Sequence, residues 1–439
     1  MPGKTVSILV ARIRNRSFRL GVIGLGYVGL PLAVEFAKQG FRVTGIDTDV
    51  RRVRQLNAGR SYITDVPTAE LAPLVRSKRL SGSNRYAVLR ELDGVMICVP
   101  TPLRKSRDPD MSFILGAAEA LAKHLHRGQV IILESTTYPG TTEEVILPML
   151  EATGLKVGRD FHLGFSPERI DPGNADYTAA TIPKVVSGVT PACCRVIQAL
   201  YGQVMREVHP VSSTRVGEMV KLLENTFRSV NIGLVNELAL MCHRLGVDVW
   251  EVIEAAKTKP FGFMPFYPGP GLGGHCIPVD PLYLSWKAKL HGFETRFIEL
   301  ASQVNAGMPH HIVDRIAQAL NDRRKALKGA KILVLGVAYK PNVGDMRESP
   351  ALEVIQDLLE NGAEVRYHDP HVPAFRLGEK KLNSIPLTPA RLKGADCAVI
   401  LTHHDALDYR GILRHAAMIL DTRNALRRLK TASKKVIWL

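Results

Sequence analysis

The sequence predicts an α/β chain: two doubly wound domains joined by a long central helix and a helical middle region. Three observations carry that reading. A glycine-rich strand–turn–helix lies near the start, strands and helices then alternate as a mostly parallel sheet requires, and a second strand–turn–helix follows residue 330. A length of 439 residues exceeds one ordinary core, and the expected domains are 1–210, 211–322 and 323–439.

In order along the chain, residues 20–24 (LGVIG) are a short apolar strand, followed by a helical stretch to about residue 39 and a second strand, FRVTGID. Strands are expected again at 95–100, 130–136, 161–166 and 184–188, with helices between them. The segment from Thr214 to about Leu245 is different: long, apolar around most of its circumference and free of proline. Such a helix is expected to be buried, between domains or between subunits. Proline and glycine keep 259–281 in loop, and helices are expected at about 282–291 and 294–322. After the basic linker RRKALKGAK, the early pattern returns as a strand in KILVLG, a helix at about 350–361, and strands in EVRYHD and GADCAVILT.

The formal charge of +16 suggests a polyanion partner, but its placement argues against one. Residues 1–20 and 421–439 supply ten of the sixteen excess charges, leaving a mildly basic middle suited to small anions. Nucleic acid is therefore not an expected partner. No apolar run approaches the ~18 residues of a membrane span, so no membrane insertion is expected. The basic N-terminus lacks the apolar core of a secretory signal, and a cytoplasmic location is expected. The six cysteines form no C-x-x-C pair, so neither a metal nor a disulfide framework is expected.

Gly24-x-Gly26-x-x-Gly29 sits between a strand and a helix, the setting a dinucleotide fingerprint needs. Gly24 permits the tight turn, Gly26 lets backbone approach a pyrophosphate, and Gly29 lets helix pack on strand. Asp47 ends the second strand, where a carboxylate bonds ribose hydroxyls and repels a 2′-phosphate, so NAD is the expected cofactor. Tyr27, Val28, Thr101 and Thr136 are the remaining candidate cofactor contacts. In the third domain only Gly336 of such a turn survives, and Gly336 to Asp369 spans 33 residues against 23 from Gly24 to Asp47. The wider loop carries Lys340, Asp345, Arg347, Glu348 and Ser349, and its cations suit phosphate oxygens.

The run from Tyr267 to Pro281, YPGPGLGGHCIPVDP, is the most informative stretch. Gly271, Gly273 and Gly274 permit unusual backbone angles while four prolines stiffen the approach, which marks Cys276 as a nucleophile candidate. The cysteines at 98, 242 and 397 lie in strand or helix patterns and are expected to be inert core residues. Asp280, four residues beyond Cys276, can orient a water or a cation. Lys221 and Asn225 share one face of the long helix, where both can stabilise an oxyanion. Glu168 and Arg169 follow a strand, at the edge where doubly wound sheets bind ligands.

Together these stretches resemble the UDP-glucose/GDP-mannose dehydrogenase family over essentially the whole chain. GVIGLGYVGLPLA, ESTTYPGTT, GFSPERIDPG, KLLENTFRSVNIGLVNE, PGPGLGGHCIPVDP and GVAYKPNVGDMRESP occur in that family's order. The resemblance implies an N-terminal NAD-binding Rossmann domain, a central helical domain that makes a homodimer, and a C-terminal Rossmann-like domain for a UDP-sugar. It implies oxidation of the sugar C6 alcohol to a carboxylate in two hydride transfers. Cys276 then forms a thiohemiacetal and a thioester, Lys221 and Asn225 stabilise the alkoxide, and Asp280 holds catalytic water or Lys221. Glu168 assists hydrolysis with Thr136 placing the water. Glu168, Arg169, Lys221, Asn225, Tyr267, Gly273, Lys340 and Arg347 are the implied substrate contacts. The stretch 259–288 is more similar to members acting on UDP-N-acetylglucosamine, giving UDP-N-acetylglucosaminuronate; UDP-glucose and UDP-N-acetylmannosamine are the alternatives. Many UDP-glucose members place an arginine upstream of the cysteine loop, whereas Lys257 and Lys259 are the only cations there. A two-electron hydroxyacid dehydrogenase, or an NAD-binding non-enzyme, would leave Cys276 or the third domain without a role.

Overall fold

The computed structural model describes the chain from Pro2 to Leu439 apart from residues 64, 105, 107, 170–180, 275 and 431–432. It divides into two compact units, Met1–Glu224 with Trp286–His291, and Asn225–Ser285 with Gly292–Leu439. Among the described residues, no helix is long and apolar enough to cross a membrane.

The first unit opens with helix α1 (Pro2–Arg14), then β1 (Arg19–Ile23), α2 (Gly29–Lys38), β2 (Arg42–Ile46), α3 (Val50–Asn57), α4 (Thr68–Arg76) and β3 (Leu80–Ser83). It continues through β4 (Gly94–Ile97), α5 (Ser112–Ala122), β5 (Val130–Leu133), α6 (Leu147–Glu151), β6 (His162–Phe165), β7 (Lys184–Gly188), α7 (Pro191–Tyr201) and β8 (Val208–Pro210). The sheet order is β3-β2-β1-β4-β5-β6-β7-β8. Its neighbours are parallel except β6 and β7, which pair antiparallel through Gly164↔Gly188 and Phe165↔Ser187. Successive strand residues serve opposite faces: Met96 joins the core layer with Phe36 and Tyr201, while Val95 and Ile97 join Ile114 and Leu121 on the other side.

The basic N-terminal stretch, for which the sequence suggested no element, is the packed helix α1. Val6, Leu9 and Ile13 recur at helical spacing and are buried in the same layer as Tyr201. Two of its arginines are committed internally: Arg12 to Asp93 at 2.6 Å, and Arg16 to Gln203 at 2.6 Å with its guanidinium 4.8 Å from the Phe41 ring centre.

Helix α8 (Thr214–Leu245) has the length its sequence predicts, with residues to Glu224 in the first unit and those from Asn225 in the second. The second unit adds α9 (Val249–Ala256), the first half of α10 (Asp280–Leu290), whose residues from Trp286 belong to the first unit, and α11 (Arg296–Asn321). Then come β9 (Lys331–Leu335), α12 (Pro350–Glu360), β10 (Glu364–His368), the hairpin β11 (Ala374–Leu377) and β12 (Lys380–Asn383), and α13 (Pro389–Lys393). The chain ends through β13 (Cys397–Ile400), α14 (Tyr409–His415), β14 (Ile419–Asp421) and β15 (Val436–Trp438). The five-stranded sheet has the order β10-β9-β13-β14-β15. The basic C-terminal stretch thus contributes an edge strand, and its Arg427 pairs with Asp248.

Both sheets bend the chain in the same way after their first strand. Gly24 has φ +91°, and a Cβ there would lie 2.4 Å from the Cys98 carbonyl oxygen beyond β4. Gly336 has φ +80°, and a Cβ there would lie 2.2 Å from the Thr402 carbonyl oxygen beyond β13. A carboxylate closes each turn: Asp47 accepts the Leu25 N–H at 2.8 Å, and Asp369 accepts those of Val337 and Ala338 at 2.7 and 3.1 Å. The two halves share this device without obvious sequence identity.

Candidate active site

In the first unit, the turn after β1 forms a cradle at the carboxyl end of the sheet. A Cβ on Gly29 would fall 1.8 Å from the Gly24 carbonyl oxygen, so only glycine lets α2 seat against that turn. Gly26 has nothing within 4 Å of where its Cβ would be. It faces a cleft of about 390 Å³ lined also by Tyr27, Asp49, Arg51, Arg52, Gln55 and Tyr62. Bare backbone, open space and two arginines fit a dinucleotide with an anionic linker. Asp47 is buried; its second oxygen accepts the Asp49 N–H at 2.8 Å and Arg52 lies 3.4 Å away. Thr101 is buried beyond β4 and Thr136 half-buried beyond β5, both at the edge where this cradle opens.

Glu168 and Arg169 follow β6 on that same edge. Glu168 accepts the Arg169 N–H at 2.7 Å, and the Arg169 guanidinium binds Glu224 of α8 at 2.6 Å and the Pro183 carbonyl at 2.7 Å. Lys221, one turn earlier on α8, is buried with 8% of its surface exposed.

In the second unit, the cysteine loop is pinned along its length. The Gly269 N–H donates to Asn236 of α8 at 2.9 Å; Asn236 donates to Asn305 of α11 at 2.8 Å, and Asn305 to the Ser229 carbonyl at 3.1 Å. Tyr267 stacks on Trp250 at 5.9 Å and donates to Glu254 at 2.7 Å. That bond, more than partial burial, raises the phenol's pKa. Gly271 has φ +128° and Gly274 φ +85°. Cβ atoms on Gly273 and Gly274 would collide with Tyr339 at 2.7 and 2.9 Å, and the Gly274 N–H reaches the Arg347 carbonyl at 3.0 Å. The cysteine loop and the cationic loop of the third domain are therefore one assembly.

Cys276 is exposed, whereas Cys98, Cys242 and Cys397 are buried. Its carbonyl accepts the Asp280 N–H at 2.8 Å, which places the thiol-bearing residue immediately before α10. Asp280 is 2% exposed and accepts the Asn225 side-chain N–H at 2.5 Å. Three predicted residues, Asn225, Cys276 and Asp280, thus form one local group. Lys340 is half-buried in the cationic loop, and Arg347 is exposed, with its guanidinium on Asp345 at 2.6 Å.

Sequence reasoning missed Arg423, which follows β14. Its Nε donates to the Leu401 carbonyl at 2.8 Å, and a Cβ on Gly269 would sit 2.4 Å from its Nη1. A cation one turn beyond a strand's carboxyl end, in DTRN, was the available signal. Burial pulls its pKa down to about 10, still charged at neutral pH.

The first unit holds a glycine cradle of the kind that takes a dinucleotide, and the second an exposed thiol on a fixed loop; these are the parts of an NAD-dependent dehydrogenase. Models of the UDP-glucose/GDP-mannose dehydrogenase family match 18–205 as NAD binding domain, 215–307 as central domain and 333–428 as UDP binding domain. A UDP-N-acetyl-D-glucosamine 6-dehydrogenase of Pseudomonas aeruginosa is 38% identical over 376 residues, 85% of this chain and 87% of that protein. An NDP-N-acetyl-D-galactosaminuronic acid dehydrogenase of Ralstonia nicotianae is 35% identical over 418 residues, covering 92% and 95%. The solved structure of a UDP-D-ManNAc dehydrogenase from Pyrococcus horikoshii superposes with a TM-score of 0.87 at 34% identity, covering 96% of this chain and 98% of that one. The chain belongs to the UDP-glucose/GDP-mannose dehydrogenase family. It is an NAD-dependent nucleotide-sugar 6-dehydrogenase, and its relatives share the reaction class while differing in the sugar.

Proposed function

We propose that the chain oxidises the C6 hydroxymethyl of UDP-N-acetylglucosamine to a carboxylate, giving UDP-N-acetylglucosaminuronate. The observation that carries the covalent mechanism is Cys276, exposed on a pinned loop at the head of α10 next to the Asn225–Asp280 pair. The 38% identity to the P. aeruginosa enzyme supports this sugar. NAD, when bound, accepts the hydride that leaves C6 in each oxidation. Lys221 and Asn225 stabilise the C6 oxyanion, and the Cys276 thiolate adds to the aldehyde so that none escapes. Loss of the second hydride leaves a thioester on Cys276. Thr136 places the water that opens it, and Glu168 takes that water's proton. Arg169, Tyr267, Gly273, Lys340 and Arg347 hold the nucleotide-sugar.

Domain roles follow the boundaries 1–210 for NAD, 211–322 for the dimer and the thiol, and 323–439 for the UDP-sugar. A homodimer through α8 accounts for its exposed apolar stripe: Val216, Met219, Leu223, Phe227, Leu234 and Met241, with Leu223 58% exposed. A cytoplasmic location suits an enzyme that draws on NAD and nucleotide sugars. UDP-N-acetyl-D-mannosamine is the second reading, favoured by the P. horikoshii structural match. The test is a panel of UDP-hexoses and GDP-mannose, followed by NADH formation and product mass. The UDP-N-acetylglucosamine reading requires the highest kcat/KM on that sugar; preference for the mannosamine epimer refutes it.

A further inference from the structure

Beneath Glu168 lies a buried charge cluster that the mechanism above does not use. Because β7 runs antiparallel to β6, its first residue returns to the edge where β4, β5 and β6 end. That residue is Lys184, whose side chain is 5% exposed. Its Nζ donates to Glu134, fully buried just beyond β5, at 2.7 Å and to the Pro167 carbonyl at 2.9 Å. Glu168 Oε2 stands 3.6 Å away on the same ammonium. Tyr201 at the end of α7 donates to the other oxygen of Glu134, and Lys184 Nζ lies 5.4 Å from that tyrosine's ring centre. Among the described residues, the buried Cys98 thiol is the other titratable group beside this ammonium.

We propose that Lys184 is a positioning residue for Glu168, with Glu134 and Tyr201 fixing the ammonium that aims the Glu168 carboxylate for thioester hydrolysis. The inference rests on the covalent reading given above. A buried ion pair adds little stability over apolar packing, so a lysine held among two carboxylates and a carbonyl is poorly explained by folding alone. An ammonium 3.6 Å from Glu168 Oε2 and held by two further partners restricts where that carboxylate can point. Burial works against the ammonium, but Glu134 and Glu168 outweigh it and raise its pKa, so the charge is present at neutral pH. In the step served, the water oxygen bonds to the thioester carbon and its proton passes to Glu168. The C–S bond then breaks, with its electron pair returning to the Cys276 sulfur.

The test compares Lys184→Met, Lys184→Arg and Glu168→Gln with the parent enzyme under NAD and UDP-N-acetylglucosamine. Turnover, KM and the intact protein mass after acid quench are measured. Lys184→Met is expected to keep KM while kcat falls about 10²-fold and a covalent sugar adduct accumulates, as in Glu168→Gln. Lys184→Arg is expected to recover much of the rate. A Lys184→Met/Glu134→Met double variant, lacking both charges of the buried pair, serves if the single variant does not fold, with the same adduct expected. Adduct in Glu168→Gln but not in the Lys184 variants overturns the positioning role alone. No adduct in any variant overturns the covalent reading and the inference with it.

Discussion

Replacing Asp280 by asparagine keeps the shape of the group beside Cys276 and removes its charge. Asp280 is 2% exposed, its carboxylate accepts from Asn225 at 2.5 Å, and its backbone holds the Cys276 carbonyl at 2.8 Å. A hydrogen bond to a charged group contributes about 1.5–3 kcal/mol against about 0.5–1.5 for a neutral one. A carboxylate in the first turn of a helix adds about 0.3–1 kcal/mol. The loss is therefore about 2 kcal/mol, or about 4–8 °C in the melting temperature of a unit this size. Catalysis should suffer more, because the same carboxylate holds Asn225, which in the proposed mechanism stabilises the oxyanion; kcat is expected to fall about 10²–10³-fold. Thermal melts and steady-state NADH formation read the two effects separately. A variant that shows the thermal shift with unchanged kcat would refute a catalytic part for Asp280 and leave it a structural cap.

Two glycines of the cradle should separate binding from folding. Gly26→Ala enters open space, so the melting temperature should hold while NAD affinity drops about tenfold, or ~1.4 kcal/mol; unchanged affinity by calorimetry contradicts the cradle. Gly29→Ala drives a Cβ to 1.8 Å from the Gly24 carbonyl oxygen and should destabilise the unit by about 1–3 kcal/mol, read in urea. Glu218 of α8 is buried and accepts the N–H groups of Gly140 and Thr142 and the Thr142 hydroxyl. Burial pushes its carboxyl from 4.5 up to about 7, so the native state holds a proton that the unfolded chain has released across that window. Stability contributed by this group is thus gained as pH falls from about 7 towards 4.5 and lost as pH rises. Glu218→Gln should flatten the pH dependence of the urea midpoint, and parallel curves for both proteins would contradict that assignment.

Much of the architecture was legible because its signals are local. A β-strand buried on both faces reads as an apolar run, so β1, β4, β5 and β7 stood out, and α8 was bounded by its unbroken pattern at Thr214 and Leu245. Short β3 (LSGS) and β8 (VHP) have no such run; the sheet defines them through their neighbours. Helix α1 was obscured by the five basic residues among 1–20, although Val6, Leu9 and Ile13 carry the helical period. At the site, motif and turn chemistry pointed to Cys276, Asp280 and the glycines, since each imposes a backbone requirement that sequence displays. Lys184, Glu134 and Arg423 are single polar residues in apolar or loop surroundings. Their meaning depends on the reversal of β7 and on the packing of the cysteine loop, which no local pattern encodes.

A four-electron oxidation through Cys276 fixes the stoichiometry of the reaction, which can be measured directly. With UDP-N-acetylglucosamine limiting and NAD in excess, NADH is counted against sugar consumed and the product is weighed, for the parent enzyme and for Cys276→Ala. Two NADH per sugar and a carboxylate product are expected for the parent enzyme, with no net acid from a variant that still binds NAD. One NADH per sugar, or full acid formation by Cys276→Ala, would contradict the four-electron route.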